Sequence, residues 1–273
     1  MAAADPASRP VALVTGANRG IGRGIAWALA DAGFDLALCD LAHDADTEAM
    51  LAGLAARGAR TVFHAGDVAA LDGHGALLEA ARSLSGRIDC LVNNAGVPAV
   101  RRGDLLALRP EDFDRVLAVN LRAPFFLAQA VARAMLADGD DVGVGETRAD
   151  GVVRRSRSIV TVSSISATHA SPERAEYCLS KSALPMMTRL LALRLAAHGI
   201  AVWEVRPGIV RTPMTAPVTA RYDALIEDGL VPQGRWGEAA DVGRTVASLA
   251  SGALPFATGE AVHVDGGLHI ARL

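Results

Sequence analysis

Short, nearly uninterrupted apolar runs alternate along this chain with stretches whose apolar residues recur every three or four positions. The runs at 11–14, 35–39, 61–64, 88–92, 159–162, 201–205 and 261–264 read as strands, because both faces of each must be buried. Between them Ile21, Ile25 and Leu29 recur at fourfold spacing up to Gly33, Met50, Leu51 and Leu54 mark a second helix, and 73–84 a third. Phe113, Val116, Leu117 and Leu121 share one face of a long helical pattern over 110–136, which Asn120 and Pro124 interrupt. An asparagine beside a proline suits a place where freed backbone carbonyls meet water. The alternation predicts an α/β chain, a parallel sheet covered by helices on both faces. Residues 137–157, rich in Gly, Asp and Arg, are expected to form a surface loop. Residues 214–234, with Pro217, Tyr222 and Pro232, are expected to form a small lid. Residues 1–9 read as a flexible tail and 10–273 as one domain.

Composition narrows the classes. With 273 residues, 51% of them hydrophobic, the chain can bury a sizeable core without disulfides or a structural metal. A net charge of −3 and an aromatic content of 4% argue against nucleic-acid and anionic-membrane partners. Cys39, Cys90 and Cys178 are scattered and follow no metal-ligand spacing, so no metal site is expected, and the first two read as buried thiols. No apolar run approaches the ~20 residues of a membrane span. The first nine residues lack the apolar core of a signal peptide. A cytoplasmic protein is the expectation.

Chemistry concentrates at the ends of the runs. The first passes into Thr15-Gly16-Ala17-Asn18-Arg19-Gly20-Ile21-Gly22 and then a helix, a geometry that aims backbone N–H groups at a phosphate. A tight turn that binds nothing has the same spacing. Asp40 ends the second run, 18 residues past Gly22 (40 − 22). A carboxylate there accepts hydrogen bonds from the adenosine ribose and repels a 2′-phosphate, whereas Arg19 would attract one. The fixed carboxylate outweighs one flexible arginine, so NAD is preferred and NADP not excluded. Asp67, followed by Val68, suits an adenine contact or a helix N-cap. Asn93 and Asn94 suit bonds to neighbouring loop backbone together with a cofactor contact. Ser164 follows the fifth run, and Tyr177 and Lys181, four apart, would share a helix face about 6 Å apart along the axis. On spacing alone, a surface Tyr–Lys pair explains them equally well.

Taken together, Thr15-Gly16-x3-Gly20-x-Gly22, Asn93-Asn94-Ala95-Gly96, Asn120, Ser164, Tyr177-x3-Lys181 and Pro207-Gly208-x3-Thr212 resemble the short-chain dehydrogenase/reductase family, from about residue 10 to the C-terminus. Arg235-Trp236-Gly237 and Asp265-Gly266-Gly267 bring the chain nearest to its 3-oxoacyl-[acyl-carrier-protein] reductase branch. The resemblance implies a Rossmann-type, doubly wound, seven-stranded parallel sheet, a nicotinamide cofactor and a small-molecule ketone or secondary alcohol as substrate. It assigns catalysis to Asn120, Ser164, Tyr177 and Lys181. Cofactor contacts fall to Gly16, Asn18, Arg19, Gly20, Ile21, Gly22, Asp40, Asp67, Val68, Asn94, Ala95, Gly96, Tyr177, Lys181, Pro207, Gly208, Val210 and Thr212. A free tyrosine titrates near pH ~10, so use of Tyr177 as a base requires ~3–4 kcal/mol of phenolate stabilisation, expected from Lys181 and the positive nicotinamide ring. Ser164 would bond the substrate oxygen, and the Asn120 carbonyl would hold a water leading from Lys181 to solvent. Thr212 and the Val210 backbone would orient the carboxamide.

A 3-oxoacyl thioester and a sugar or polyol remain competing substrates. His198 stands where carrier-protein reductases commonly have arginine, and His169 and Glu173 favour a hydroxylated compound. A non-catalytic NAD-binding regulator on the same fold would show a broken Asn–Ser–Tyr–Lys set; here the set is intact. The resemblance also implies a homo-oligomer, a dimer or tetramer. Pro185, four residues past Lys181, predicts a kink just beyond the site.

Overall fold

The computed structural model describes residues 9–139 and 156–271, so the expected tail at 1–9 and loop at 137–157 lie almost entirely outside the described residues. The described residues form seven strands: β1 (Val11–Thr15), β2 (Asp35–Asp40), β3 (Thr61–Ala65), β4 (Cys90–Asn93), β5 (Arg157–Val162), β6 (Ile200–Pro207) and β7 (Ala261–Val264). They form one sheet in the order β3-β2-β1-β4-β5-β6-β7, parallel throughout. The chain runs outward from β1 to β3, then returns to lay β4 on the other flank of β1. The loops leaving β1 and β4 therefore diverge, which opens a crevice at the carboxyl ends of the strands. This is the doubly wound, Rossmann-type arrangement.

Strand periodicity explains the two cores. Ala12, Val14, Cys90, Val92, Val160 and Trp203 point to one face of the sheet. There they pack on α1 (Gly20–Asp31), α2 (Ala45–Ala56) and α9 (Ala239–Ala250) through residues such as Ile25, Leu29, Met50, Leu54 and Val246. Leu13, Leu91, Ile159 and Val202 point the other way. They meet Leu77 of α3 (His74–Arg82), Leu127 and Val131 of α5 (Ala123–Ala137) and Leu195 of α7 (Leu184–Leu195). With helices on both faces, a polar side chain on a strand is costly to bury, and the runs are largely apolar for that reason.

Two helices break where the sequence interrupts them. The 110–136 pattern divides into α4 (Pro110–Leu117), a π-helical turn at Ala118–Arg122, and α5. The Ala123 N–H reaches back five residues to the Ala118 carbonyl, and Pro124 brings no N–H to the Asn120 carbonyl four residues earlier. The next helical stretch divides at Ala183 into α6 (Ala175–Ser182) and α7, with Pro185 in the first turn of α7.

The 214–234 segment contains a short 3-10 turn at Ala216–Val218 and α8 (Thr219–Glu227). A separate apolar cluster of Ile209, Ile226, Val231 and Trp236 anchors it. Tyr222 stands edge-on to Trp236 at 5.8 Å, and the indole N–H donates to Asp223 at 2.7 Å. No described helix is long and apolar enough to cross a membrane.

Helices α1 and α9 meet backbone to backbone. A Cβ on Gly24 would stand 2.6 Å from the Ala239 carbonyl oxygen, and one on Gly243 would overlap the Gly24 carbonyl. We expect Gly243→Ala to lower stability by about 1–3 kcal/mol, as overpacking at a close contact does. Chemical denaturation measures this, and an unchanged midpoint would mean that the two helices separate without cost.

Candidate active site

The loops leaving the strands border a cavity of about 380 Å³ over the crevice. Gly16, Arg19, Gly20, Ile21 and Gly22 form one wall of it. Gly16 has φ of +64°, and a Cβ on it would lie 2.8 Å from the Ala95 Cα, so only glycine lets the loop after β1 lie against the loop after β4. Those loops are stitched together. The Asn94 side chain donates to the Thr15 and Gly16 carbonyls at 2.9 Å each, and the Thr15 hydroxyl accepts the Asn94 and Ala95 N–H groups at 3.1 Å each. Asn94, Ala95 and Gly96 thereby line the cavity, while Asn93 turns away to donate to the Pro124 carbonyl. Asn94 thus bonds neighbouring loop backbone, as its position suggested, whereas Asn93 bonds the backbone of α5.

At the far end Asp40 lines the cavity with both carboxylate oxygens held by backbone: Oδ2 accepts Asn18 N–H at 2.9 Å and Oδ1 accepts Leu41 N–H at 2.8 Å. The acid is fixed in place. Arg19, the residue before α1, makes no capping bond and shares the same wall. Asp67 caps its own turn, accepting Ala69 N–H at 2.9 Å, and pairs with Arg115 at 3.2 Å beside Val68. This glycine-walled groove at the head of α1, ending on a fixed carboxylate, fits a dinucleotide: backbone N–H groups toward phosphate, an acceptor toward ribose hydroxyls.

Ser164, Tyr177 and Lys181 converge. Tyr177 and Lys181 line the cavity, one helical turn apart on α6, and the Tyr177 hydroxyl is hydrogen-bonded to Ser164. The Lys181 ammonium donates to the Val162 carbonyl at 3.1 Å and sits 5.9 Å from the Tyr177 ring centre. Gly96 leaves room for it: a Cβ there would be 3.6 Å from Lys181 Nζ and 3.3 Å from Asn120 Oδ1. The Asn120 side chain is consumed structurally. Its carbonyl accepts Val97 N–H at 2.8 Å, and its amide donates to the Val97 carbonyl at 3.0 Å and to Ser180 Oγ at 3.1 Å. It ties the loop after β4 to the helix that carries the tyrosine and lysine.

Burial dominates the electrostatics. It raises the Tyr177 phenol above its usual range, against the Ser164 hydrogen bond and the Arg174 charge, which lower it. It also pushes the Lys181 ammonium down from 10.5 to about 8, against the pull of Glu204. The cation lying over Tyr177 at the shorter distance is Arg174, 5.3 Å from the ring centre, rather than Lys181.

Some expected residues lie behind the cavity wall instead of on it. The Asn18 amide donates to the Ala42 carbonyl at 2.9 Å and its carbonyl accepts the Thr47 hydroxyl at 2.9 Å, so its visible work is to present a backbone N–H to Asp40. Pro207 closes β6, and Gly208 lies against Asp265, where a Cβ would stand 2.6 Å from the Asp265 Cβ. The Val210 carbonyl accepts the Thr215 hydroxyl at 2.9 Å, whereas Thr212, Pro213 and Met214 do reach the cavity.

Sequence reading missed the ion pair beneath the site. Glu204 and Arg206, both buried, pair at 2.7 and 2.8 Å, and Ser163 donates to Glu204 at 2.5 Å. Two opposite charges two residues apart in an apolar strand were the available signal. His263, Asp265 and His269 bring ligand atoms within 4.8 Å of one another. The Asp265 oxygens, however, already accept the Gly267 and His269 N–H groups and the His269 ring, so hydrogen bonding accounts for that cluster.

Comparison with known proteins places this geometry. A family model described as enoyl-(acyl carrier protein) reductase matches residues 16–269. A crystal structure of a 3-oxoacyl-[acyl-carrier protein] reductase from Brucella melitensis in complex with NAD is 55% identical, with a TM-score of 0.89, covering 97% of this chain and 99% of that one. A 2-dehydro-3-deoxy-D-gluconate 5-dehydrogenase of Dickeya dadantii (strain 3937) is 33% identical over 94% of both chains. The 3-oxoacyl-[acyl-carrier-protein] reductase FabG of Staphylococcus aureus (strain Mu50 / ATCC 700699) is also 33% identical, over 95% of this chain and 98% of that one.

The depressed Lys181 carries a pH signature in the cofactor-free protein. Between about pH 8 and pH 10.5 the unfolded chain holds the lysine proton and the folded chain does not, so this group makes stability rise with pH across that window. Lys181→Met should abolish that rise. The stability advantage of the mutant at neutral pH, up to about 3 kcal/mol, should shrink as pH increases. Denaturation at several pH values reads the difference, and parallel curves would place an ordinary solvated ammonium at Lys181.

Proposed function

The chain belongs to the short-chain dehydrogenase/reductase family, and we propose that it interconverts a ketone and a secondary alcohol through Tyr177, Lys181, Ser164 and Asn120, with NAD(H) as the preferred cofactor. The convergence of Ser164, Tyr177 and Lys181 at the end of a glycine-walled dinucleotide groove carries the reading.

A bound nicotinamide supplies or accepts the hydride at the substrate carbon. The rest falls to side chains. Ser164 hydrogen-bonds the substrate oxygen and holds the Tyr177 hydroxyl in line with it. Tyr177, its phenol kept protonated by burial, donates a proton to the oxygen as the alcohol forms. In the reverse direction it must lose that proton, and Ser164 and Arg174 favour the phenolate. Lys181 holds the nicotinamide ribose. Proton exchange with solvent runs past Lys181 to the Asn120 carbonyl, which the π-helical turn and Pro124 leave without the usual helical donor. The groove at Gly16, Gly20 and Gly22 takes the pyrophosphate, Asp40 the adenosine ribose, Asp67 and Val68 the adenine, and Thr212 with the Val210 backbone the carboxamide. The 214–234 segment acts as the lid: Tyr222 lies close enough to influence the Tyr177 phenol.

The fixed Asp40 carboxylate and the NAD complex of the Brucella melitensis protein support NAD over NADP. The relatives' names support a 3-oxoacyl thioester or a sugar-derived substrate. Homo-oligomerisation has support in apolar side chains left exposed on α5, α6 and α7: Phe125, Phe126, Leu179, Met186, Leu190 and Leu193.

Tyr177→Phe should reduce kcat by about a thousandfold or more, because the proton donor is gone, while NADH affinity stays within about twofold. Steady-state assays and cofactor titration test this; a mutant keeping more than a few per cent of parental turnover assigns the acid elsewhere. Asp40→Ala should erode the ratio of kcat/KM for NADH over NADPH by about tenfold or more, as loss of an unfavourable carboxylate–phosphate contact implies. A parent enzyme that already prefers NADPH would overturn the Asp40 argument.

A further inference from the structure

Three guanidiniums lie at the turn that leads into α6 and Tyr177, and they are not equivalent. Arg102, on the loop after β4, and Arg221, on α8, lie 4.0 and 3.7 Å from Glu173, loosely sharing its carboxylate. Arg174, the next residue along, has no carboxylate within ion-pair distance among the described residues. Its Nε donates to Ser171 Oγ at 3.3 Å and its Nη2 to Ser166 Oγ at 3.4 Å, both long bonds to neutral hydroxyls. It is half-buried, and its guanidinium lies 5.3 Å from the Tyr177 ring centre. A partly desolvated guanidinium held on two hydroxyls, beside the proton donor, has unused charge and unused N–H groups.

We propose that the substrate is a small carboxylate, an oxo acid or its hydroxy acid, whose carboxylate pairs with Arg174 while its carbonyl or alcohol oxygen meets Ser164 and Tyr177. A planar guanidinium matches the two oxygens of a carboxylate. Pairing it with a substrate anion completes the partner that the fold leaves out. Its position fixes a further property: the carboxylate lies only a few bonds from the reacting carbon, since the guanidinium flanks the same ring that donates the proton. In reduction an oxo acid, NADH and one proton become a hydroxy acid and NAD+. The C=O π pair moves onto oxygen, oxygen takes the Tyr177 proton, and solvent restores it. The proposal rests on Tyr177 as the proton donor and adds the class of molecule presented to it.

Acetoacetate, 4-oxopentanoate, methyl acetoacetate and the uncharged N-acetylcysteamine thioester of acetoacetate distinguish the alternatives when each is assayed with NADH. We expect the free acids to exceed the ester and thioester in kcat/KM by about tenfold or more, as a charge-assisted pair implies. Arg174→Leu also removes a charge that acts on Tyr177, so turnover of all four compounds should fall. The decisive quantity is the ratio: the preference for acid over ester, about tenfold or more, should fall to about one, with Arg174→Lys restoring part of it. Calorimetric titration of acetoacetate and methyl acetoacetate into Tyr177→Phe holoprotein, with and without Arg174→Leu, should show the same selective loss without any turnover. Equal losses for acid and ester would confine Arg174 to tuning the phenol and overturn the proposal, and so would a preference for the thioester. If none of the four compounds is turned over, and acetoacetate still binds the Tyr177→Phe holoprotein in an Arg174-dependent manner, then the assignment of Tyr177 fails and the carboxylate site stands.

Discussion

Parallel pairing of β1 on both flanks is the constraint from which the site follows. With β2 on one side and β4 on the other, the chain leaving β1 has no strand to continue into and must turn over the sheet edge. That turn can lie against the loop after β4 only if the backbones nearly touch, which a Cβ at Gly16 would prevent. Thr15 and Asn94 then lock the two loops with four hydrogen bonds. Gly96 sits on the locked loop and leaves the space for Lys181 and Asn120. A hydrophobic sheet thus sets the position of an ammonium through one close backbone contact and two polar side chains, the buried Thr15 hydroxyl and the Asn94 amide.

Burial and charge then oppose one another at that position. Desolvation pulls Tyr177 and Lys181 toward their neutral forms. Glu204 acts against this on the lysine and Arg174 on the phenol. The Glu204 carboxylate is itself buried, and its pairing with Arg206 and Ser163 supplies the hydrogen bonds a buried charge requires. Lys181, pushed down to about 8 by burial, is brought toward the pH range where both its protonation states occur, whereas Tyr177 is held in the protonated form that a reduction consumes.

The strand count and the parallel sheet were legible because they depend on local period, whereas the grouping of Ser164 with Tyr177 and Lys181 came from the family resemblance, spacing alone having left a surface pair equally open. The glycine loop was legible as a turn, and Asp40 as its distant partner. Pro185 and the Asn120–Pro124 interruption were legible as breaks, although not as a π-helical turn in the second case; one extra residue in a helix leaves no composition mark. Arg174 and Glu204 were not legible. The importance of Arg174 comes from a 3-10 turn that folds back beside Tyr177, and that of Glu204 from its height on β6 relative to a lysine on another layer. Both are tertiary facts: the Glu204–Arg206 spacing in an apolar strand marked a pair but not what lay above it, and nothing around Arg174 marked its place beside Tyr177.

The division of one helical stretch at Ala183 has a mechanical meaning. In an unbroken helix, a twist applied at one end rotates every residue upstream through a shared phase. α6 is eight residues long and α7 starts at Leu184 with Pro185 in its first turn, and because Pro185 brings no N–H to the Lys181 carbonyl, a bend at Ala183 costs less than one within either helix. The segment that carries the phenol and the ammonium also contributes Leu179 to the exposed apolar face, while Met186, Leu190 and Leu193 lie beyond the bend. Substitutions at Leu190 or Leu193 therefore fall across that weak point from Tyr177 and Lys181, whereas one at Leu179 falls between them.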